Sequence, residues 1–423
     1  ALSQFGDTSV TNNGTISAYS YGAGAAGIVA ASSYNDVTVA NNGSIEAEAL
    51  GSAYGMLAIS QYGDSSIAND GSISASAYNG DAYGILALAQ YGDISISNGS
   101  AGTIEAVSYN GNAYGINAQS FSGDITVDNA GSIEAYAYGD AYGIAASTAY
   151  GDISIDNSGG SVVAYSYSGA AIGINAQTPF GDISIDNSGT IEANGYNGIG
   201  IGIYASSQAG DITINSTGGS ITAYSQYSTA VGIAASSYSG DVGIGSGSAI
   251  TVTTYDGDAI GIFAQSAYGE ITVANSGDVA VETYYGDAYG IQASGQYDVS
   301  VSGGGDISAT TTYGIALGIY AYTVSGDLDI DVSGNIGVTS YDGLAYGIFA
   351  YNIYGDTTVS SSGEITADNS YGSVRGISAA SVFGDAEVGN EGDITVQTLQ
   401  GSAIGIDVNS VFSSVSVTNS GDI

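Results

Sequence analysis

The dominant constraint on this chain is that its text repeats with a step of about 29 residues, which confines it to architectures made by stacking one small unit on the next. A Gly followed by an aliphatic residue marks the step at Gly27, Gly55, Gly84, Gly115, Gly143, Gly173, Gly202, Gly232, Gly261, Gly290, Gly318, Gly347, Gly376 and Gly405. An acidic residue, usually after Gly, keeps the same step at Asp7, Asp36, Asp64, Asp93, Asp124, Asp152, Asp182, Asp211, Asp241, Glu270, Asp298, Asp327, Asp356 and Asp385. Two independent markers agree on the period.

Each unit divides into three short alternating pieces separated by turn residues. In one of them, Asp182-Ile183-Ser184-Ile185-Asp186 is followed by a turn at Asn187-Ser188-Gly189, then Thr190-Ile191-Glu192-Ala193, then a turn at Tyr196-Asn197-Gly198 and Ile201-Gly202-Ile203-Tyr204-Ala205. Alternation with period two, β-branched residues and glycine punctuation specify strands, and no window carries a sustained helical period. Three strands per unit predict an all-β chain: a single three-sided parallel β-solenoid of about 14 to 15 coils. No composition break divides residues 1–423, so one repeat array is expected throughout. The opening Ala1-Leu2-Ser3-Gln4-Phe5-Gly6-Asp7 repeats Ala87-Leu88-Ala89-Gln90-Tyr91-Gly92-Asp93, so the chain is expected to be a piece of a longer one.

Stacking places equivalent residues in columns. Two residues after the marker aliphatic stands Ala in every coil from Ala30 to Ala379, with Val408 as the exception. The second strand carries an aliphatic column that includes Ile16, Ile104, Val162 and Ile394. Both columns are expected to face the core. A single coil buries too little to fold alone, so stability is cooperative between neighbours.

Three polar or aromatic columns carry the chemistry. The Asn column, with Asn129, Asn157 and Asn187 at its centre, is expected to form a structural amide ladder. The acidic column stacks carboxylates one strand spacing apart, about 4.8 Å, so their repulsion must be offset. Two readings remain open: each carboxylate accepts hydrogen bonds from its own turn, or Ca²⁺ bridges successive coils. The candidate calcium ligands are Asp64, Asp93, Asp124, Asp152, Asp182, Asp211 and Asp241. Tyr62, Tyr91 and Tyr150 belong to an aromatic column just before the acidic marker. Tyr54, Tyr83, Tyr114, Tyr142, Tyr289 and Tyr346 share the inward parity of the marker aliphatic and are expected to fill a corner. Tyr136, Tyr138, Tyr165 and Tyr167 have outward parity on the second strand and are candidates for lateral contact between fibres. Arg375 interrupts the Tyr/Ile column, which predicts a local distortion or a paired charge.

Composition excludes most alternatives. There is no Cys, His, Lys or Trp and a single Arg against 41 acidic residues, a net charge of −40. Imidazole and thiolate catalysis are therefore excluded, as is a cationic surface for nucleic acid or an anionic membrane. No apolar run reaches the length of a transmembrane segment. Coils spaced ~4.8 Å apart would set the net charges about 1.7 Å apart, the linear density of duplex DNA.

The unit Gly181-Asp182-Ile183-Ser184-Ile185-Asp186-Asn187-Ser188-Gly189-Thr190-Ile191-Glu192-Ala193, together with Tyr142-Gly143-Ile144-Ala145-Ala146, resembles the repeats of bacterial autotransporter-type surface proteins. The resemblance covers the whole chain. It implies a β-solenoid passenger domain projecting from a bacterial cell, hence an extracellular or cell-surface location. The expected function is a non-catalytic structural shaft of a surface fibre, filament or sheath, with end-to-end or lateral self-association aided by divalent cations. The alternatives are an adhesin passenger that contacts a glycan or surface, and an ice-binding solenoid using the Ser9, Thr38, Ser66, Ser95, Thr126, Ser154, Ser184 and Thr213 column. No cofactor is required, and calcium is the one candidate ion.

Overall fold

The computed structural model describes residues 1–423, all of them in strands, turns and short connections, with no helix. Three parallel sheets form a β-solenoid of about 14 turns with roughly 29 residues per turn, as the repeat predicts. The chain packs as two compact units, Ala1–Gly210 and Asp211–Ile423. No helix is long and apolar enough to cross a membrane.

One coil of the first unit shows how sequence becomes structure. Its strands are β1 (Ile125–Asn129), β2 (Ser132–Ala137) and β3 (Ala141–Ser147). The next coil repeats them as β4 (Ile153–Asn157), β5 (Ser161–Ser166) and β6 (Ala171–Thr178). Pairing is parallel and in register, so like meets like: Ile125 with Ile153, Val127 with Ile155, Ala135 with Ala164, Tyr136 with Tyr165, and Ala146 with Ala176. The second unit keeps the same arrangement, for example Val299 with Leu328 and Ala321 with Ala350.

Alternation decides what is buried. On the first face Ile125, Val127 and Asn129 point inward, and Thr126 and Asp128 point outward. On the second face Ile133 and Ala135 are fully buried between outward Ser132, Glu134 and Tyr136. The alanine and aliphatic columns lie in the core, with Ala118, Ala146, Ile104 and Val162 each at most 1% exposed.

The third face breaks the alternation at its glycine. Ala82, Gly84, Ile85 and Ala87 are all buried, so Gly84 and Ile85 both turn inward in succession. A Cβ on Gly84 would lie 2.2 Å from Cγ2 of Ile104 and 2.6 Å from the Gly115 carbonyl oxygen, which is why only glycine occupies this column. The parity reversal corrects the position expected for the tyrosine column. Tyr83, Tyr114, Tyr142 and Tyr289 are half-buried on the outer side of the strand, while Tyr346 is 9% exposed. On that side Tyr346 lies 5.9 Å from Phe349, three positions on.

Candidate binding surface: carboxylate corners and tyrosine stripes

At the corner entering the first face, a strand amide is already committed to the next coil: Ile125 N–H donates to the Asp152 carbonyl at 2.9 Å. The Asp152 N–H faces the preceding coil, and there it finds the Asp124 side chain, donating to Oδ1 at 2.8 Å. The same bond joins Asp64 to Asp36 at 3.0 Å, Asp93 to Asp64 at 2.9 Å, Asp124 to Asp93 at 2.9 Å and Asp182 to Asp152 at 2.8 Å. In the second unit Asp241 N–H donates to Asp211 and Glu270 N–H to Asp241, each at 2.8 Å. Each of these carboxylates therefore serves the next coil's amide, and not that of its own turn as the first of the two readings has it. The corner glycine permits the close stacking, since a Cβ on Gly151 would lie 2.2 Å from the Gly123 oxygen.

The device is used at the other two corners, which the sequence reading did not single out. Between the second and third faces, Asn112 N–H donates to Asp81 at 2.9 Å, Asp140 N–H to Asn112 at 2.8 Å and Ala170 N–H to Asp140 at 2.8 Å. Between the first and second faces of the second unit, Asn335 N–H donates to Asp306 at 2.8 Å and Glu364 N–H to Asn335 at 3.0 Å. The signal was present: Gly80-Asp81, Gly139-Asp140 and Gly305-Asp306 each precede a strand, as Gly123-Asp124 does. Asn112 and Asn335 show that the acceptor oxygen, rather than the charge, is what the corner needs.

This geometry bears on the calcium reading. Ca²⁺ takes six to eight oxygen ligands. The corner carboxylates run in single file with Oδ1 committed to an amide, and no group of three or more acidic side chains converges where it could hold a metal. In Asp64, Asp93, Asp124, Asp152, Asp211 and Asp241 one carboxylate oxygen is thus already taken by an amide. Asp385 is held below the usual carboxylate range by hydrogen bonds from the Ser413 hydroxyl and the Ser414 amide. Asp128 is raised, first by burial and then by the charge of Asp156 in the neighbouring strand.

The amide ladder forms as expected. Asn129 Nδ2 donates to Asn157 Oδ1 and Asn157 Nδ2 to Asn187 Oδ1, both at 2.7 Å, and all three side chains are at most 1% exposed. In the second unit Ser216, Ser246, Gly303, Val332 and Ser361 stand in the column in place of Asn. At Ser246 before Asn275 and at Ser361 before Asn390, the hydroxyl and the amide oxygen across the step are both buried and unpaired.

Tyr62 and Tyr91 stack at 5.1 Å with an 11° interplanar angle, and Tyr150 stacks on Phe180 at 5.2 Å. Of the lateral candidates, Tyr136 and Tyr165 lie on the second face, tilted at 6.4 Å. Tyr138 and Tyr167 lie on the corner beyond it, because the strands end at Ala137 and Ser166, and they stack at 5.3 Å. That corner carries its own stripe, which includes Tyr78, Tyr109, Tyr138, Tyr167 and Tyr196. Tyr136 donates to Glu134 at 2.9 Å, and burial, then this hydrogen bond, push its phenol up to about 12.

Along the third face, burial and then the neighbouring Asp140 charge push Tyr142 up to about 12, and burial with Asp81 raises Tyr83 further. Arg375 satisfies the paired-charge expectation. Its Nε lies 3.1 Å from Asp407 Oδ2, its NH1 donates to the Tyr346 hydroxyl at 2.8 Å, and the guanidinium sits 5.0 Å from the centre of the Tyr346 ring.

Set against family models, curated proteins and solved structures, the chain has no significant match among any of the three.

Proposed function

We propose that this chain is a non-catalytic structural segment of a bacterial surface fibre, an extracellular shaft that associates laterally through its tyrosine stripes when cations screen its charge. The observation that carries the reading is the corner ladder. Its side-chain acceptors recur at three corners and its amides serve successive coils, so the polar groups at these turns are used in holding coil to coil. The repeat resemblance to autotransporter passengers supports the location. The stacked stripes support lateral packing, because parallel rings cover one another's faces and present edges and hydroxyls to a neighbour. At a net charge of −40, two such surfaces repel at low ionic strength.

Electron microscopy of the purified chain tests the reading. Bundles are expected on adding Mg²⁺ or Ca²⁺ and dispersion on removing them, and antibodies to the chain should label fibres on the producing cell. Dispersed particles in every salt together with no surface labelling would reject it. A second reading, an adhesin contacting glycans, is favoured by the edge-to-face pair Tyr238–Tyr268, where the parallel stack is broken and both rings are exposed. Binding to a glycan array that is lost in Tyr268→Ala would support it.

A further inference from the structure

Some tyrosine pairs depart from the stacked geometry of the stripes. In Ala1–Gly210, Tyr34 and Tyr62 meet at 5.3 Å and 6°, Tyr62 and Tyr91 at 5.1 Å and 11°, and Tyr167 and Tyr196 at 5.3 Å and 11°. In Asp211–Ile423, Tyr238 meets Tyr268 at 5.1 Å and 75°, and Tyr341 meets Tyr371 at 5.1 Å and 76°. The four rings of these crossed pairs are between 47% and 58% exposed. The neighbouring phenol, Tyr268 for Tyr238 and Tyr371 for Tyr341, raises Tyr238 and Tyr341 above the ordinary phenol range.

We propose that Tyr238–Tyr268 and Tyr341–Tyr371 are sites of oxidative dityrosine coupling, each placing a covalent staple between successive coils. Crossed geometry in an isolated pair is what points to them: Tyr255–Tyr285 and Tyr284–Tyr313 also cross, at 85° and 74°, but within a four-ring cluster where each ring has more than one partner. In a crossed pair with centroids 5.1 Å apart, the edge of one ring, where its ortho carbons lie, comes nearer to the other ring than the centroids do. Parallel stacking instead holds the rings face to face about 5 Å apart, one strand spacing. Exposure admits the oxidant, and the fixed pair replaces a bimolecular encounter by an intramolecular one.

The step balances with hydrogen peroxide acting through a haem peroxidase. Each phenol loses one electron and its O–H proton, giving a phenoxyl radical with spin on the ortho carbons. A carbon–carbon bond forms between one ortho carbon of each ring. Each ring then loses its ortho hydrogen as a proton and regains a proton on oxygen, restoring the phenol. The two electrons and two protons released reduce one peroxide to two waters.

The test is to treat the dilute full chain with hydrogen peroxide and a haem peroxidase, follow dityrosine fluorescence, and map the links by mass spectrometry. With no Lys and a single Arg, an Asp-specific protease is the useful choice, and the peptides it frees from Asp331 and Asp368 each carry one tyrosine, Tyr341 and Tyr371. These two peptides are expected joined, two hydrogens short of their summed mass, in a yield independent of protein concentration. Tyr371→Phe should abolish this link and leave Tyr238–Tyr268 intact, and Tyr268→Phe should do the reverse. Both substitutions are at exposed rings, and circular dichroism checks that the sheets persist. Equal linking at the stacked pair Tyr62–Tyr91, a yield that rises with concentration, or tyrosine oxidation without either link would each overturn the proposal.

Discussion

Asp124 holds the backbone N–H of Asp152 on its carboxylate at 2.8 Å, one coil away, and Asn112 holds the N–H of Asp140 at the same distance with a neutral amide oxygen. The pair of observations separates hydrogen bonding from charge. At the corners of this molecule, the side chain replaces a backbone carbonyl that the turn has carried out of reach.

Asp124→Asn should therefore fold with unchanged or higher stability, since it keeps the acceptor and removes one charge from a repelling row. Asp124→Ala should lose roughly 1 kcal/mol, the net value of one such bond. Thermal melts of both variants at low and high salt check this. The gain from Asn should shrink as salt screens the row.

The buried amide ladder should be more sensitive. Asn157→Ala leaves Asn129 Nδ2 and Asn187 Oδ1 facing an apolar methyl, and each orphaned group costs about 1–3 kcal/mol. Ser361→Asn should do the opposite, giving the unpaired Asn390 Oδ1 a donor and raising the denaturation midpoint. If Ser361→Asn destabilises the chain, the ladder does not account for the serine step.

The glycine column tolerates no side chain. Gly84→Ala would press a methyl into Ile104 and the Gly115 carbonyl, an overpacking expected to cost about 1–3 kcal/mol or more. Pairing it with Ile104→Val, which removes a methyl from the facing side chain, should recover part of the loss. Denaturant midpoints of the single and double variants measure that coupling.

Alkaline pH should loosen the third face. Tyr142 titrates at 10.0 when unfolded and at about 12 when folded, so the folded state holds its proton more tightly. The associated stability is complete below pH 10.0 and is lost as pH rises towards about 12. Tyr142→Phe should flatten the fall in melting temperature across that window. Phenolate absorbance should show a late-titrating class that merges with the exposed tyrosines on denaturation.

Columns with strict alternation were readable directly. The column of Ile133 is aliphatic throughout, that of Ala146 is Ala in all but one unit and that of Asn157 is Asn in most, and residues repeated at one step in a parallel in-register stack must lie over one another. The parity of Tyr54, Tyr83 and Tyr114 does not carry across Gly55, Gly84 and Gly115, where the backbone turns two successive residues inward. Parity likewise does not announce where a strand stops, and Tyr138 and Tyr167 lie just past the ends at Ala137 and Ser166.

The sequence by itself determined the period, the three-stranded unit, the core columns and the exclusion of imidazole and thiolate chemistry, because each follows from which residues are present and how often they return. The tertiary structure decided the direction of every ladder. Whether a carboxylate serves its own turn or the next coil, and whether two tyrosines stack or cross, depends on how one coil is set against another.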